Sequence, residues 1–249
     1  MEQSVVDYAR VVPQRRAAAG APARRFALDR AALDARRVIF PEDRSLVSDA
    51  YRMLRTQLLQ RARQRGARVI GIASPADGDG KTLTAVNLAL ALAAEPNQTI
   101  LLADLDLRRP SVAQLLGVPE QRGVESVLRG EIGIDEALWR PEGRERLAIL
   151  PAAPLEGPTS ELLAGERARA FIQELRSRYV DRLVLLDLPP VLLTDDVLTL
   201  APLLDGVLLV VAERRTRRED LLRTQQLLSG VPQLGMVLNR SHQSERRAY

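Results

Sequence analysis

The chain has no cysteine, one histidine, one lysine and few aromatic residues among its 249 positions. The lack of cysteine excludes disulfides, thiol chemistry and cysteine-based metal sites. Because His242, near the C-terminus, is the only histidine, Ser-His-Asp catalysis and histidine-rich metal sites are excluded as well. An aromatic content of 3% leaves few side chains that could stack on bases, so we expect no nucleic-acid partner.

Charged residues are abundant but nearly balanced. The 36 Lys and Arg residues exceed the 32 Asp and Glu residues by four, which gives a net charge of +4. We interpret the dispersed arginines as a solvated basic surface. No apolar run approaches the length that crosses a bilayer, and the N-terminus lacks the apolar core of a signal peptide. The sequence therefore predicts a cytoplasmic protein without a transmembrane segment.

Composition and periodicity divide the chain into three regions. Residues 1–40, rich in Ala, Arg and Pro, predict a flexible basic arm with room for one short helix, and residues 241–249 predict a C-terminal tail. Residues 41–240 predict one domain that begins with a helix over 44–66 and then alternates strands with helices. The predicted strands cover 67–74, 99–107, 146–153, 182–190, 206–213 and 234–239, and the helices cover 81–94, 111–116, 124–128, 134–138, 160–179, 195–204 and 216–228. Continuous apolar strands separated by helices are typical of a mostly parallel, doubly wound α/β sheet.

A glycine-rich loop follows the first predicted strand and ends in Gly80-Lys81-Thr82. Such a loop wraps phosphates with backbone N–H groups and the N-terminus of the next helix, and its lysine reaches the outer phosphates. The 36 basic residues divide into 35 arginines and this one lysine, whose compact ammonium fits where a planar guanidinium does not. Thr82 supplies the hydroxyl that binds Mg²⁺ in such loops. Pro75 replaces the first glycine of the strict pattern, so the loop alone also fits an ordinary glycine turn.

Two further predicted strands end in aspartates. The segment ILLADLDL contains Asp104 and Asp106, and the segment LVLLDLPP contains Asp187. An aspartate at a strand end is, taken singly, usually a turn former or a helix cap. Because ligands of parallel sheets bind beyond the carboxyl ends of the strands, we expect these carboxylates near Lys81. The loop and the two strand ends together predict a Mg²⁺–nucleotide site.

These segments resemble the bacterial tyrosine kinases of the CpsD/CapB/Wzc type, which are P-loop autokinases of exopolysaccharide and capsule biosynthesis. SPADGDGKT, LLADLDLRRP and VLLDLPPVLLTDD are similar to the Walker A, Walker A′ and Walker B motifs of that family, and the resemblance runs from Arg44 to Asn239. The chain looks closest to the separate autokinases of exosortase-linked gene clusters. The resemblance implies a P-loop NTPase fold related to MinD and ParA, with ATP and Mg²⁺ as cofactors.

The resemblance also assigns roles to individual residues. It implies that Asp104 accepts the tyrosine proton or orients the hydroxyl, and that Arg108 steadies the site or the tail of a neighbouring subunit. Asn239 would contact adenine. The catalytic residues implied are Lys81, Asp104, Asp106, Asp187 and Arg108; the nucleotide-binding residues are Asp77, Gly78, Asp79, Gly80, Lys81, Thr82, Leu83 and Asn239; and the metal ligands are Thr82, Asp106 and Asp187.

Assembly and partners are implied in the same way. The family's E-x-x-R-x-x-R helix, which mediates ring assembly, reads Asp49-x-x-Arg52-x-x-Arg55 in this chain; without the resemblance these residues are ordinary surface charge pairs. The implied partners are further copies of the chain and an activating membrane protein, a polysaccharide co-polymerase or chain-length regulator. That partner would place the chain at the inner face of the plasma membrane.

Two departures from the family pattern affect what we expect. Asp77 stands where the family usually has proline, which adds a negative charge near the phosphates. The family's tail carries a cluster of tyrosines, whereas the tail of this chain offers only Tyr249 as the phosphoacceptor.

The sequence therefore predicts an ATP-dependent protein-tyrosine autokinase that regulates exopolysaccharide or capsule polymerisation and export. One alternative is a MinD/ParA-like ATPase switch, but those proteins carry a second lysine five residues before the invariant one, where this chain has Ala76. The other alternative is a nucleotide-dependent scaffold of the export machinery without kinase activity. The tail with one tyrosine favours the scaffold, and the complete set of motif residues favours the kinase.

Overall fold

A single eight-stranded sheet organises the part of the chain that the computed structural model describes, which comprises residues 24–119, 122–177 and 182–241. The strands are β1 (Arg24–Phe26), β2 (Val69–Ala73), β3 (Thr99–Asp104), β4 (Trp139–Pro141), β5 (Leu147–Leu150), β6 (Arg182–Asp187), β7 (Gly206–Ala212) and β8 (Gln233–Asn239). Their order in the sheet is β1-β4-β5-β3-β6-β2-β7-β8. All neighbours are parallel except β4 and β5, which are antiparallel.

Helices cover both faces of the sheet. They are α1 (Arg30–Ala35), α2 (Leu46–Arg65), α3 (Lys81–Ala93), α4 (Val112–Leu116), α5 (Val124–Arg129), α6 (Ile134–Ala137), α7 (Thr159–Ala164), α8 (Glu166–Ser177), α9 (Asp196–Leu200) and α10 (Arg218–Leu227). Val69 of β2 belongs to the apolar core shared with α5, α8 and α9, and its neighbour Ile70 belongs to the core shared with α2 and α3. Both faces of β2 are buried, which explains its continuous apolar sequence. The predicted fold class is confirmed.

The helix predicted over 44–66 is confirmed as α2, and residues at both of its ends fix its limits. The hydroxyl of Ser45 accepts a hydrogen bond from the backbone N–H of Ser48 (3.1 Å) and caps the N-terminus. Gly66 ends the helix in the left-handed conformation with φ of 63°. The predicted helix over 160–179 differs from the structure, because the chain is extended at Gly165 and divides this segment into α7 and α8.

Residues 24–40 correct the predicted flexible arm. Over this range the chain forms β1 and α1, and four of its side chains are buried in the core on the α2 and α3 side of the sheet. These side chains are Phe26, Leu33, Val38 and Phe40. The remaining predicted arm, residues 1–23, lies outside the described residues.

The arginines of this range suggested a solvated arm in the sequence, but in the structure arginines pack on aromatic rings. The guanidinium of Arg30 lies 4.3 Å from the ring centroid of Phe40, and that of Arg144 lies 5.3 Å from the same ring. Phe26 packs edge-on against Trp139 of β4, with ring centroids 6.3 Å apart. Arginines that read as solvated in the sequence therefore cover aromatic rings, and the short strands β1 and β4 are held together by their side chains.

The two outer strands place the ends of the described chain on opposite edges of the sheet. Among the strands that the structure describes, β1 pairs only with β4, and β8 pairs only with β7. Within the residues that the structure describes, no helix combines the length and apolar character needed to cross a bilayer.

Leu33→Ala tests whether residues 24–40 belong to the cooperative core. Leu33 is 1% exposed, so we expect the free energy of unfolding to fall by about 2–5 kcal/mol, measured by urea denaturation. Leu46→Ala is the matched control, since Leu46 is 52% exposed and its truncation leaves no cavity. Equal stability of the two variants would show that this range unfolds independently of the sheet.

Candidate active site

The glycine-rich loop between β2 and α3 has a backbone that only glycine adopts without strain at two positions. Gly78 and Gly80 have φ values of 77° and 91°. A Cβ at Gly80 would lie 2.0 Å from Nδ2 of Asn239, which donates a hydrogen bond to the carbonyl of Asp79 (2.9 Å). Among the described residues, no side chain caps the N-terminus of α3, so its first N–H groups remain available to a ligand. This is the geometry that binds phosphate at helix N-termini.

Lys81 joins the loop to the aspartates predicted at the strand ends. Its Nζ lies 2.7 Å from Oδ2 of Asp106, 3.3 Å from the hydroxyl of Thr82 and 3.9 Å from Oδ1 of Asp187. The side chain is only 8% exposed. Burial lowers the pKa of Lys81, but the negative charges of Asp187 and Asp106 outweigh it and hold the pKa above its usual value. The ammonium is therefore charged and fixed in place.

Asp187 is the carboxylate with the least compensation. It is fully buried at the end of β6, and neither of its oxygens has a hydrogen-bond partner among the described residues. Burial raises the pKa of Asp187 to about 6, against the opposing effect of the positive charge of Lys81. A buried carboxylate that has only the distant charge of Lys81 and the nearby Thr82 hydroxyl to oppose its burial is a group that a bound cation would complete.

The residues present fit a nucleotide-bound Mg²⁺. No group of three or more acidic or histidine side chains arranged for a metal occurs in the described ranges. Mg²⁺ bound with a nucleotide requires fewer protein ligands, because phosphates and waters complete its coordination. The orphaned oxygens of Asp187, the carboxylate of Asp106 and the hydroxyl of Thr82 supply oxygen donors of the type that Mg²⁺ prefers.

Asp104 has a structural task that the sequence did not indicate. Its Oδ1 accepts a hydrogen bond from the backbone N–H of Asp106 (3.1 Å), and its Oδ2 accepts from those of Ser111 (2.9 Å) and Val112 (3.0 Å). It therefore shapes the turn that carries Asp106. Burial, and then the charge of Asp187 on the adjacent strand, raise the pKa of Asp104 well above its usual value. Asp104 and Asp187 are paired residues of β3 and β6.

Three arginines that the sequence analysis did not single out contact the loop from outside. Nη1 of Arg109 lies 2.9 Å from Oδ2 of Asp77, so the extra charge expected from Asp77 is paired. Arg215 donates to the carbonyl of Asp77 (3.0 Å), and Arg240 donates to the carbonyl of Gly78 (2.8 Å). The sequence offered one signal, the dense arginines at 214–218, but no pattern links them to the loop.

Arg108 turns to the other side of the site. Its Nε donates to the hydroxyl of Thr159 (3.0 Å), which donates to Oδ2 of Asp196 (2.7 Å). Thr159 and Asp196 were not predicted as site residues, although each lies in a segment, PTSELL or VLLTDD, that resembles the family.

Two of the predicted nucleotide-binding residues, Asn239 and Leu83, have different surroundings. Asn239 contacts the loop backbone through the Asp79 carbonyl, and its contact with adenine stays a prediction. Leu83, one turn into α3, packs against the apolar core on the α2 side. Tyr249 lies outside the described residues.

The arginines of the predicted assembly helix have partners within the chain. Arg52 pairs with Asp49 and donates to the carbonyl of Pro41 (2.8 Å). Arg55 pairs with Glu95 at the end of α3 (2.9 Å). These residues lie on α2, apart from the loop, and their role between subunits stays a prediction.

Comparison with known proteins decides the family. The family model described as "ParA: NUBPL iron-transfer P-loop NTPase" matches residues 66–247. The tyrosine-protein kinase YwqD of Bacillus subtilis is 29% identical over 85% of this chain and 89% of its own length. The solved kinase domain of VpsO is 30% identical, with a TM-score of 0.70 over 79% of this chain and 96% of that domain. The chain belongs to the bacterial tyrosine kinases. This confirms the predicted family, the P-loop NTPase fold and the enzyme class.

Two further likenesses bear on the role of this bacterial tyrosine kinase. The succinoglycan biosynthesis transport protein ExoP of Rhizobium meliloti is 31% identical over 86% of this chain, but the matched part is only 27% of ExoP. The septum site-determining protein MinD of Pyrococcus horikoshii, solved with Mg-ADP, is 27% identical with a TM-score of 0.60 over 72% of each chain. A protein of related fold has thus been solved with a bound magnesium nucleotide.

Asp187→Asn is expected to stabilise the kinase without ligands. One pKa unit corresponds to about 1.4 kcal/mol, so holding Asp187 ionised at pH 7 costs the fold on the order of 3 kcal/mol. Because its pKa is higher in the folded chain, the unfolded chain releases the proton first, and the free energy of unfolding falls as pH rises from about 4 to 6. We expect the variant to gain about 1–3 kcal/mol at pH 7 and to lose this part of the pH dependence.

Urea denaturation at pH 4 to 7 measures both effects, with the exposed Asp195→Asn as the control. A variant that is less stable than the parent protein, or a pH profile of stability unchanged from it, would contradict the conclusion that ionised Asp187 destabilises the fold.

Proposed function

We propose that the chain transfers the γ-phosphate of ATP to tyrosine hydroxyls, its own included, and thereby regulates exopolysaccharide or capsule polymerisation and export. The observation that carries the proposal is the buried ammonium of Lys81, fixed by Asp106 and facing the unpartnered carboxylate of Asp187 at the end of the glycine loop. This arrangement occurs in a chain related to YwqD and to the VpsO kinase domain, both named kinases.

The loop and its neighbours would hold the nucleotide. The backbone from residue 77 to 83, Lys81 included, would hold the phosphates, and Asn239 would lie near the base. Thr82, Asp106 and Asp187 would hold Mg²⁺, which supplies charge stabilisation to the phosphates when it is bound. The three outer arginines keep the loop in its binding shape by occupying its carbonyls and the Asp77 carboxylate.

Asp104 would act on the incoming hydroxyl. A general base works best when its pKa lies above that of a free carboxyl and near the working pH, and burial raises the pKa of Asp104 well above its usual value. Asp104 is also held by three backbone N–H groups, which fix its orientation relative to Asp106.

The MinD/ParA-like switch is less well supported. Ala76 stands where those proteins carry their second lysine, and its backbone N–H instead donates to Oδ2 of the buried Asp79 (3.1 Å). A scaffold without turnover would not need a lysine ammonium placed 3.9 Å from the buried carboxylate of Asp187.

The proposal also includes two kinds of partner, a membrane protein and further copies of the chain. ExoP is named as a polysaccharide transport protein, and the chimerical protein CapA2B2 resembles this chain with a TM-score of 0.74. We place the kinase at the inner face of the plasma membrane, held and activated by a polysaccharide co-polymerase. Self-association through α2 would require Arg52 and Arg55 to exchange their present partners for those of a second copy.

Incubation of the purified chain with γ-labelled ATP and Mg²⁺ tests the function. Label on protein tyrosine supports the kinase. Free phosphate without labelled tyrosine, with and without the membrane partner, would support the ATPase switch, and no turnover under either condition would support the scaffold.

Lys81→Arg is expected to lose nearly as much phosphoryl transfer as Lys81→Ala. The ammonium lies within 2.7 Å of one carboxylate in a space that is 8% exposed, where a guanidinium fork does not fit. Turnover with labelled ATP measures the loss. If the arginine variant kept more than about a tenth of the activity, a difference of about 1.4 kcal/mol, charge alone would be sufficient.

Asp106→Asn and Asp104→Asn should differ in effect. Loss of Asp106 removes a metal ligand and the closest partner of Lys81, so Mg²⁺-nucleotide affinity should fall. Loss of Asp104 should leave more of the affinity and lower the rate by about 10²–10⁴-fold, as for a group acting on the hydroxyl.

Nucleotide titrations measure the affinity, and single-turnover experiments measure the rate. Urea denaturation of each variant shows whether a loss comes from unfolding, because Asp104 also holds the turn that carries Asp106. Equal losses of affinity in the two variants would refute the division of roles.

A further inference from the structure

The guanidinium of Arg108 is held from its inner side only. Its Nε donates to Thr159 at the start of α7 and lies 3.6 Å from Oδ2 of Asp196 at the start of α9. These are its only hydrogen bond and ion pair with other described residues. The two terminal nitrogens are left for other partners, and the side chain is 42% exposed.

The anchor is buried and specific. Thr159 is 1% exposed and Asp196 is fully buried, with the Thr159 hydroxyl 2.7 Å from Oδ2 and no hydrogen-bond partner for Oδ1. A buried carboxylate is costly unless a cation compensates it, and Arg108 is the cation that the described structure places beside it. Asp196 and Thr159 therefore fix the direction of the arginine fork at the expense of local stability.

The fork lies on the side of the site away from the glycine loop. The neighbouring Arg109 pairs with Asp77 of that loop, whereas the contacts of Arg108 reach α7 and α9. Arg108 nevertheless follows Asp106 by two residues, so its backbone belongs to the same turn, and its side chain is 42% exposed. Two parallel N–H groups of a fixed guanidinium match a carboxylate.

We propose that Thr159 and Asp196 are positioning residues that aim Arg108 at a carboxylate next to the tyrosine of the protein substrate. The preferred substrate is thus a tyrosine segment with an adjacent acidic residue. This inference rests on the proposed function, because it concerns the acceptor side of that site.

Two peptides that differ only in glutamate or glutamine beside one tyrosine test the proposal. With the intact chain we expect KM for the glutamate peptide to be about tenfold lower, as one charge-assisted hydrogen-bonded pair predicts, with similar kcat. We expect this preference to fall in Arg108→Ala, Thr159→Val and Asp196→Asn. Thr159→Ser should keep the preference, because serine keeps the hydroxyl. Thr199→Val is the matched control, since the Thr199 hydroxyl donates only to the backbone carbonyl of Asp195 (3.2 Å), at the start of its own helix, among the described residues.

Fluorescence anisotropy of the same labelled peptides, with a non-hydrolysable ATP analogue bound, separates this inference from the proposed function. If the glutamate peptide binds more tightly than the glutamine peptide but neither is phosphorylated, the kinase function is overturned and the docking role of Arg108 is supported. Equal binding of both peptides by the intact chain would overturn the inference even if both were phosphorylated. A preference retained in folded Thr159→Val and Asp196→Asn would remove the positioning role.

Discussion

One lysine ammonium facing three buried carboxylates is the interaction on which the rest of the site depends. Lys81 pairs closely with Asp106 and lies at a longer distance from Asp187, while Asp104 is compensated mainly by backbone N–H groups. Burial raises the pKa of Asp104 and of Asp187, and the single positive charge of Lys81 offsets this effect only in part. The buried carboxylates concentrate negative charge within the core around them, and a ligand that brings a cation would relieve it.

The strand order makes this concentration of charge possible. β3, β6 and β2 are consecutive in the sheet, so the ends of two acidic strands and the start of the glycine loop meet at one edge. The register pairs Asp104 directly with Asp187. Neighbouring strands are about 4.8 Å apart, a spacing that brings their carboxylates within reach of one lysine side chain.

The sequence predicted this centre because its signals are local. Glycines with positive φ, a lysine after them and aspartates after apolar runs each follow from a few neighbouring residues, and the parallel α/β pattern implies that they meet. The missed elements depend on distant partners. β1 and β4 are three residues each and pair across more than a hundred positions, and Arg215 and Arg240 reach the loop from other strand ends. No local pattern encodes such contacts, and Gly165 interrupted a helix whose apolar spacing continued past it.

The opposite edges occupied by β1 and β8 set the geometry of anything joined to this domain. Seven strand spacings of about 4.8 Å separate the two edges by roughly 34 Å. A membrane tether or reporter domain attached directly ahead of β1 is thus five strand spacings, roughly 24 Å, from β2, whose end carries the phosphate loop. A segment that continues after Asn239 leaves beside that loop, because Asn239 and Arg240 both contact its backbone. One side of the molecule is suited to anchoring, and the other side couples whatever follows it to nucleotide occupancy.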